Sequence, residues 1–315
     1  MTVEAAARDI RAEVAKAISG QERTIEQVLA AVLADGHVLL EGVPGVAKTL
    51  LVRSMAHVLG LGFGRVQFTP DLMPSDVLGT SILDPRTNTF EFRKGPIFTS
   101  VLLADEINRT PPKTQSALLE AMEERRATVD GVTHALPPPF LVFATQNPLD
   151  FEGTYPLPEA QQDRFLLKIL VDYPSPSSEI EVLKRHHTGF RPQRLEDVGM
   201  RSLLTLEDLL SLRDEVRATT VEEKVFDYIY GIVSATRRHD DLLAGASPRA
   251  GIALLNVSKA VARLRGRDYV IPDDVKELAV PVLRHRLVLR PESEVEGISS
   301  DRVLADLLEA QTVPR

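Results

Sequence analysis

Between Ile18 and Val171, short apolar runs rich in β-branched residues alternate with stretches whose apolar positions recur at helical spacing. That alternation predicts a parallel sheet with crossover helices. The strands expected are Val38 to Glu41, Arg65 to Thr69, Val101 to Asp105, Phe140 to Thr145 and Leu166 to Val171, five in an open α/β sheet. Val101-Leu102-Leu103-Ala104 has no polar interruption, as a strand buried on both faces requires. From Met1 to Ile18, apolar positions are interleaved with Glu4, Arg8, Asp9, Arg11, Glu13 and Lys16, which predicts an amphipathic helix and lacks the apolar block of a secretory signal.

At Tyr173 the pattern changes. Tyr173-Pro174-Ser175-Pro176-Ser177-Ser178 is a breaker cluster, and the remainder carries helical periodicity, so residues 1–172 are read as the α/β unit and residues 173–315 as a small helical bundle. Helix starts are expected at Thr205, with Asp208 three residues on, at Val221, at Ser247-Pro248 and at Ile271-Pro272. Two insertions interrupt the α/β unit. Ser81 to Asp84 and Thr89 to Arg93 flank a turn at 85–88, and Asp130-Gly131 lies between Ala127-Thr128-Val129 and Val132-Thr133-His134; both predict β-hairpins, either contact elements or surface decoration.

Composition narrows the chemistry. With no cysteine in 315 residues, disulfides, thiol nucleophiles and thiolate metal sites are excluded, which fits the cytoplasm. The net charge of −8 argues against a protein that coats nucleic acid through a broad basic surface. No apolar run approaches the roughly 20 residues of a membrane helix, so no membrane insertion is expected. The basic stretches Arg263, Arg265, Arg267 and Arg284-His285-Arg286 read as solvated helix faces and ends.

After the strand ending at Glu41 comes Gly42-Val43-Pro44-Gly45-Val46-Ala47-Lys48-Thr49, then a helical run from Leu50. Strand, glycine-bearing loop and helix is the context of a phosphate-binding loop. Gly42 and Gly45 are expected to let backbone approach phosphate oxygens, and the loop amides with the helix N-terminus favour a polyanion. Lys48 would reach the β- and γ-phosphates, and the Thr49 hydroxyl would hold Mg2+. The glycine usual before the lysine is Ala47 here. Lys48 also lies in the first turn of a helix, where a cation is disfavoured by roughly 0.3 to 1 kcal/mol unless an anion is near. The strand at Val101 ends in Asp105-Glu106, adjacent carboxylates at the ligand crevice of an α/β sheet. Asp105 is expected to bind Mg2+ through water, and Glu106 to polarise an attacking water as general base.

The stretches LLADEINRTPPKTQSALLEAMEE, FATQNP and YPLPEAQQDRF resemble the MoxR family of AAA+ ATPases, in the clade with an insert in its second helix. The resemblance runs from about Ile18 through the C-terminal bundle. It implies a P-loop AAA+ core on a five-stranded parallel sheet with a small helical lid, ATP and Mg2+ as ligands, and hydrolysis at subunit interfaces of a ring, a homo-oligomer expected to be a hexamer. By the same resemblance, the hairpin at about 79–94 is the helix-2 insert and that at about 127–136 the pre-sensor hairpin. Asn147 becomes the first sensor, although before Pro148 it is by itself a turn residue. Arg164 becomes an arginine finger reaching the adjacent subunit's nucleotide, unless Asp163 holds it in a local pair. Arg109 is a second candidate across the interface. Arg249, in the first turn of the helix opened by Ser247-Pro248, looks like the second sensor, a cation whose position calls for a nearby anion.

Relatives in the family act on proteins bearing a von Willebrand factor A domain, so the resemblance implies partner remodelling or activation. The rival reading is a nucleic-acid motor, for which the insert offers Arg86, Arg93, Lys94, Phe90 and Phe92. A small-molecule P-loop kinase is a third class; the acidic pair, the finger arginine and a separate lid argue against it. His186-His187, adjacent on a helix, diverge and do not support zinc.

Overall fold

These periodicities become elements in a computed structural model that describes residues 1–148, 153–192 and 194–314. The chain opens with α1 (Val3–Val14), whose first turn is capped by the Thr2 hydroxyl, and α2 (Glu22–Leu33). Then β1 (His37–Glu41) runs through the glycine-bearing turn into α3 (Lys48–Val58), followed by β2 (Phe63–Gln67). An excursion of α4 (Pro74–Leu78), β3 (Gly79–Asp84) and β4 (Thr89–Lys94) precedes β5 (Val101–Asp105). After α5 (Pro112–Glu124) come the hairpin β6 (Arg126–Val129) and β7 (Val132–Ala135), β8 (Leu141–Gln146), α6 (Glu159–Gln162) and β9 (Phe165–Leu170).

β2, β5, β8, β1 and β9 form one parallel sheet in that order. Alternation along each strand gives the sheet two apolar faces. Val38, Leu40, Leu103 and Phe143 pack with α1 to α3 and the C-terminal helices, whereas Leu39, Leu102, Ala104, Val142 and Ala144 pack with α4 and α5. Four expected strands fall within one residue of those observed. The fifth, expected at Arg65 to Thr69, begins two residues earlier, because Phe63 and Gly64 already pair with Val101 and Leu102; it ends at Gln67, opposite Asp105.

Both hairpins form, and they touch: the rings of Phe92 and His134 stack with centroids 3.8 Å apart. Phe90, on the β3–β4 hairpin, stays 74% exposed.

The C-terminal elements are α7 (Pro176–His187), α8 (Leu206–Arg217), α9 (Glu223–Thr236), β10 (Leu242–Ala244), α10 (Pro248–Leu264), α11 (Pro272–Leu283), β11 (Val288–Leu289), α12 (Pro291–Val295) and α13 (Ser300–Ala310). Thr205 and Asp208 cap α8 reciprocally, each side chain accepting the other's amide at 3.2 and 2.9 Å. An all-helical bundle is corrected in one respect, since β10 and β11 pair antiparallel.

The basic stretches are also corrected. Arg265 reaches Glu26 and Glu277, and Arg267 forks onto the fully buried Asp274. Arg284 meets Asp301, and Arg286, its side chain 3% exposed, meets Asp163 at 2.6 Å. His285 is buried and donates from Nε2 to the Phe165 carbonyl. α10 and α11 pack on α2 and β9, so Arg267, Arg284 and Arg286 are drawn largely out of water and each guanidinium has to find a carboxylate, whereas Arg265 meets its carboxylates at the surface.

Candidate functional site

The strand register builds the site. Leu40 lies beside Thr145 and Ala104 beside Ala144, so Gly42, Asp105-Glu106 and Asn147 leave the sheet along one edge, at the C-terminal ends of β1, β5 and β8.

In the loop, the two glycines have different reasons. A Cβ on Gly42 would lie 2.4 Å from the Val171 carbonyl oxygen, so the chain leaving β9 by itself requires glycine here. Gly45 has φ +89° with open space around it, and the backbone angle alone asks for glycine. Ala47 is also left-handed, at φ 62°, a conformation costing an L-residue roughly 1–2 kcal/mol. The loop is tied from outside by Gln21, whose Nε2 donates to the Val46 carbonyl at 3.0 Å. Lys48 opens α3 and folds across the loop, its ammonium donating to the carbonyls of Gly42 and Val43.

Thr145 orients the acidic pair. Its hydroxyl donates to Asp105 Oδ1 at 2.6 Å and accepts the Glu106 amide at 2.8 Å. Glu106 is left-handed, φ 57°, which turns the chain sharply after the strand. Asp105 Oδ2 accepts from Arg65 Nε and Nη2 at 3.0 and 2.7 Å, with the Thr49 hydroxyl 3.5 Å away. Glu106 Oε2 accepts the Gln67 amide at 2.7 Å and lies 3.4 Å from Arg109 Nε. Arg65, Gln67 and Thr145 carry no expected role from sequence; the available signal is two polar residues at i and i+2 of a strand, which share a face.

A cavity of about 1050 Å3 opens over this edge. Pro44 through Leu50 form one wall, Asp105, Glu106 and Asn147 another, and Ala17, Ile18, Val182, Leu183 and Phe190 an apolar side. A hydroxyl and a carboxylate, Thr49 and Asp105, meeting at one point are the hard oxygen donors a Mg2+ ion takes, and Asp105 Oδ2 already holds a cationic group there, so the residues fit such an ion.

Arg109, Arg164 and Arg249 do not line this cavity. Arg164 Nε lies 2.9 Å from Glu123 Oε2, and Arg249 Nη1 lies 3.3 Å from Glu123 Oε1. Asp163 is committed to Arg286, so the local Asp163–Arg164 pair does not form. The anion that meets Arg249 is Glu123, and Ser247 holds the N-cap position of α10 with a buried hydroxyl that has no hydrogen-bond partner among the described residues. Arg164 immediately precedes β9, whose Phe165 faces His37 at the start of β1. Five residues of strand, about 16 Å, therefore separate this edge from the phosphate loop. Glu123, which joins an arginine of the α/β unit to one of the C-terminal helices, is a further residue unassigned from sequence.

Beside them, His37 is buried. Its Nδ1 accepts the Val142 amide at 3.0 Å and its Nε2 faces the Met122 carbonyl at 3.2 Å, so the proton sits on Nε2. Burial first, then the positive charge of Arg125, pushes its pKa down to about 3, and the ring is neutral.

Comparison with known proteins matches the same regions. Residues 37–167 match the ATPase family associated with various cellular activities (AAA), and residues 234–307 match the AAA lid domain. The protein named Chaperone MoxR1 of Mycobacterium tuberculosis is 46% identical over 312 residues, 96% of this chain and 81% of its own. YeaC of Bacillus subtilis, uncharacterised, is 51% identical over 286 residues, 91% of this chain and 88% of its own. A crystal structure of a candidate ATPase from Cytophaga hutchinsonii superposes with a TM-score of 0.91 at 43% identity, over 99% of this chain and 96% of that one. No helix among the described residues is long and apolar enough to cross a membrane.

Proposed function

Because this chain belongs to the MoxR family of AAA+ ATPases, we propose that it binds Mg·ATP in the cavity over the phosphate loop and hydrolyses it in sites shared between neighbouring subunits of a ring. The observation that carries the reading is the separation of its parts. Lys48, Thr49, Asp105, Glu106 and Asn147 gather at one edge of the sheet, and Arg164 and Arg249 share Glu123 at the opposite edge. An arginine across the sheet from its own loop is placed to serve a different molecule's phosphate, and the head-to-tail contact this demands is of the kind that builds a ring when the rotation between subunits closes.

Within the site, Lys48 and the amides at the start of α3 bind the β- and γ-phosphates. Glu106 accepts the proton of the attacking water, and Asn147, a neutral donor and acceptor, orients that water. Thr49 and Asp105 would hold Mg2+, which supplies charge neutralisation on the phosphate oxygens. Arg164 and Arg249 of one subunit neutralise charge developing on the next subunit's transferred phosphoryl group, an effect of roughly 10³ to 10⁵ in rate in related chemistry. Arg109, 3.4 Å from Glu106, restrains that carboxylate in its own chain.

Hydrolysis then drives remodelling or activation of a partner protein, as the chaperone name of the mycobacterial relative suggests; a protein with a von Willebrand factor A domain is the partner class we favour. Affinity capture with Glu106→Gln and ATP tests this. A von Willebrand factor A domain protein held with ATP and released with ADP supports the reading, and nucleic acid retained in its place would favour the motor alternative.

A further inference from the structure

Arg65 has no assigned role in the reaction, yet it sits on the oxygen that the metal needs. Asp105 has two carboxylate oxygens: Oδ1 is taken by the Thr145 hydroxyl at 2.6 Å, leaving Oδ2 to face Thr49. Both Arg65 donors, Nε at 3.0 Å and Nη2 at 2.7 Å, converge on that single Oδ2 rather than forking across the carboxylate. The same Nη2 also donates to Gln67 Oε1 at 2.7 Å. An amide has one acceptor end and one donor end, so an arginine on the oxygen of Gln67 turns its NH2 outward, and that NH2 donates to Glu106 Oε2 at 2.7 Å. One guanidinium thus holds the metal-site carboxylate directly and the water-activating carboxylate through one amide. All of it depends on β2, where residues 65 and 67 share a face beside Asp105.

We propose that Arg65 is the standing counter-ion of Asp105, bound to Oδ2 until a divalent cation displaces it, and that its departure releases the Gln67 amide from Glu106. Arg65 is then a positioning residue that couples arrival of the cation to freeing of the base. The argument rests on the ATPase reading above for the identity of the two carboxylates. The exchange runs in the expected direction on physical grounds. The Arg65 side chain is 48% exposed, and an ion pair so open to water is weak, whereas a divalent ion held by carboxylate and hydroxyl oxygens carries twice the charge at the same oxygen. A competitor and a helper leave opposite signatures: removing a competitor tightens cation binding, and removing a side chain that merely aims Asp105 weakens it.

The test titrates Mn2+, followed by its electron paramagnetic resonance, into the full-length protein saturated with a non-hydrolysable ATP analogue, for the parent, Arg65→Ala and Arg65→Lys. Arg65→Ala is expected to bind Mn2+ roughly threefold more tightly than the parent, and Arg65→Lys, which keeps a cation on the strand, to stay near the parent. Equal or weaker Mn2+ binding in Arg65→Ala overturns the proposal. Should Arg65→Ala melt below the working temperature, Arg65→Gln is read by the same criterion. Binding of the analogue with saturating Mg2+ is measured in parallel. A parent that does not bind it contradicts the ATPase reading itself, and a parent that binds it while the variants leave Mn2+ affinity unmoved contradicts only the role of Arg65.

Discussion

At the scale of single residues, the phosphate loop is a set of separate local decisions. Gly42 answers to the Val171 carbonyl, Gly45 to its φ, and Ala47 accepts a left-handed backbone that glycine would adopt freely. Ala47→Gly is therefore expected to leave stability unchanged or raise it by about 1 kcal/mol, while Gly42→Ala should lower it by about 1–3 kcal/mol, since the added Cβ meets rigid backbone. Urea unfolding of both variants checks the pair, and equal costs would show that loop strain is not distributed this way. The chemistry divides as sharply. Lys48→Ala should abolish ATP binding in calorimetry, whereas Glu106→Gln should bind ATP with turnover reduced by roughly 10² to 10⁴. A Glu106→Gln protein that hydrolyses at the parent rate would remove the general-base role.

At the scale of elements, the legible part of the chain was what is local in sequence. Strand β5 shows itself as four apolar residues ending in two acids, the loop as eight consecutive residues, and the cap of α8 as Thr205 three residues before Asp208. What stayed hidden depends on pairing between elements. Arg265 looks like a solvated helix end until α10 lies against α2 and brings Glu26, 239 positions away, to its guanidinium. Arg65 and Gln67 gain meaning only when β2 pairs with β5, and Glu123 only when the N-terminus of α10 approaches the end of α5. The same packing creates a pH dependence at the start of β1 and the end of α11. His37 and His285 are buried, burial being the main cause, and both hold pKa values well below the ordinary 6.5. Above pH 6.5 folded and unfolded chains are both neutral at these rings. As pH falls below 6.5, the unfolded chain takes protons that the folded one refuses, so the stability they contribute is lost toward the folded pKa, about 3 for His37. Between pH 7.5 and 5.0 the loss is expected at roughly 2 kcal/mol from His37, with a further loss of the same sign from His285. Glu13, pulled down to about 2 chiefly by its hydrogen bond from Lys16, contributes fully above the usual 4.5 and so does not confound that window. Urea midpoints at the two pH values measure the difference; a flat profile would mean that both rings take protons in the folded chain as readily as in the unfolded one.

At the scale of the whole molecule, the chain is asymmetric. The groups that hold and attack a triphosphate lie at one edge of the sheet, and the arginines that would complete the site lie at the other, clamped together by Glu123. On the proposed reading, an isolated chain is half of two sites. Glu123→Ala should loosen both arginines at once and lower turnover while leaving ATP affinity near that of the parent, because Lys48 is untouched. Specific activity should also rise with protein concentration as sites are completed by assembly. The most direct measurement mixes two inactive variants. Glu106→Gln lacks its own base but offers intact Arg164 to its neighbour; Arg164→Ala keeps its base but offers no finger. Each alone should be nearly inactive. Co-refolded or exchanged in equal amounts, they should regain roughly a quarter of the parent rate, since about one interface in four then joins an intact Glu106 to an intact Arg164. A mixed assembly that stays as inactive as its components would contradict a site shared between subunits.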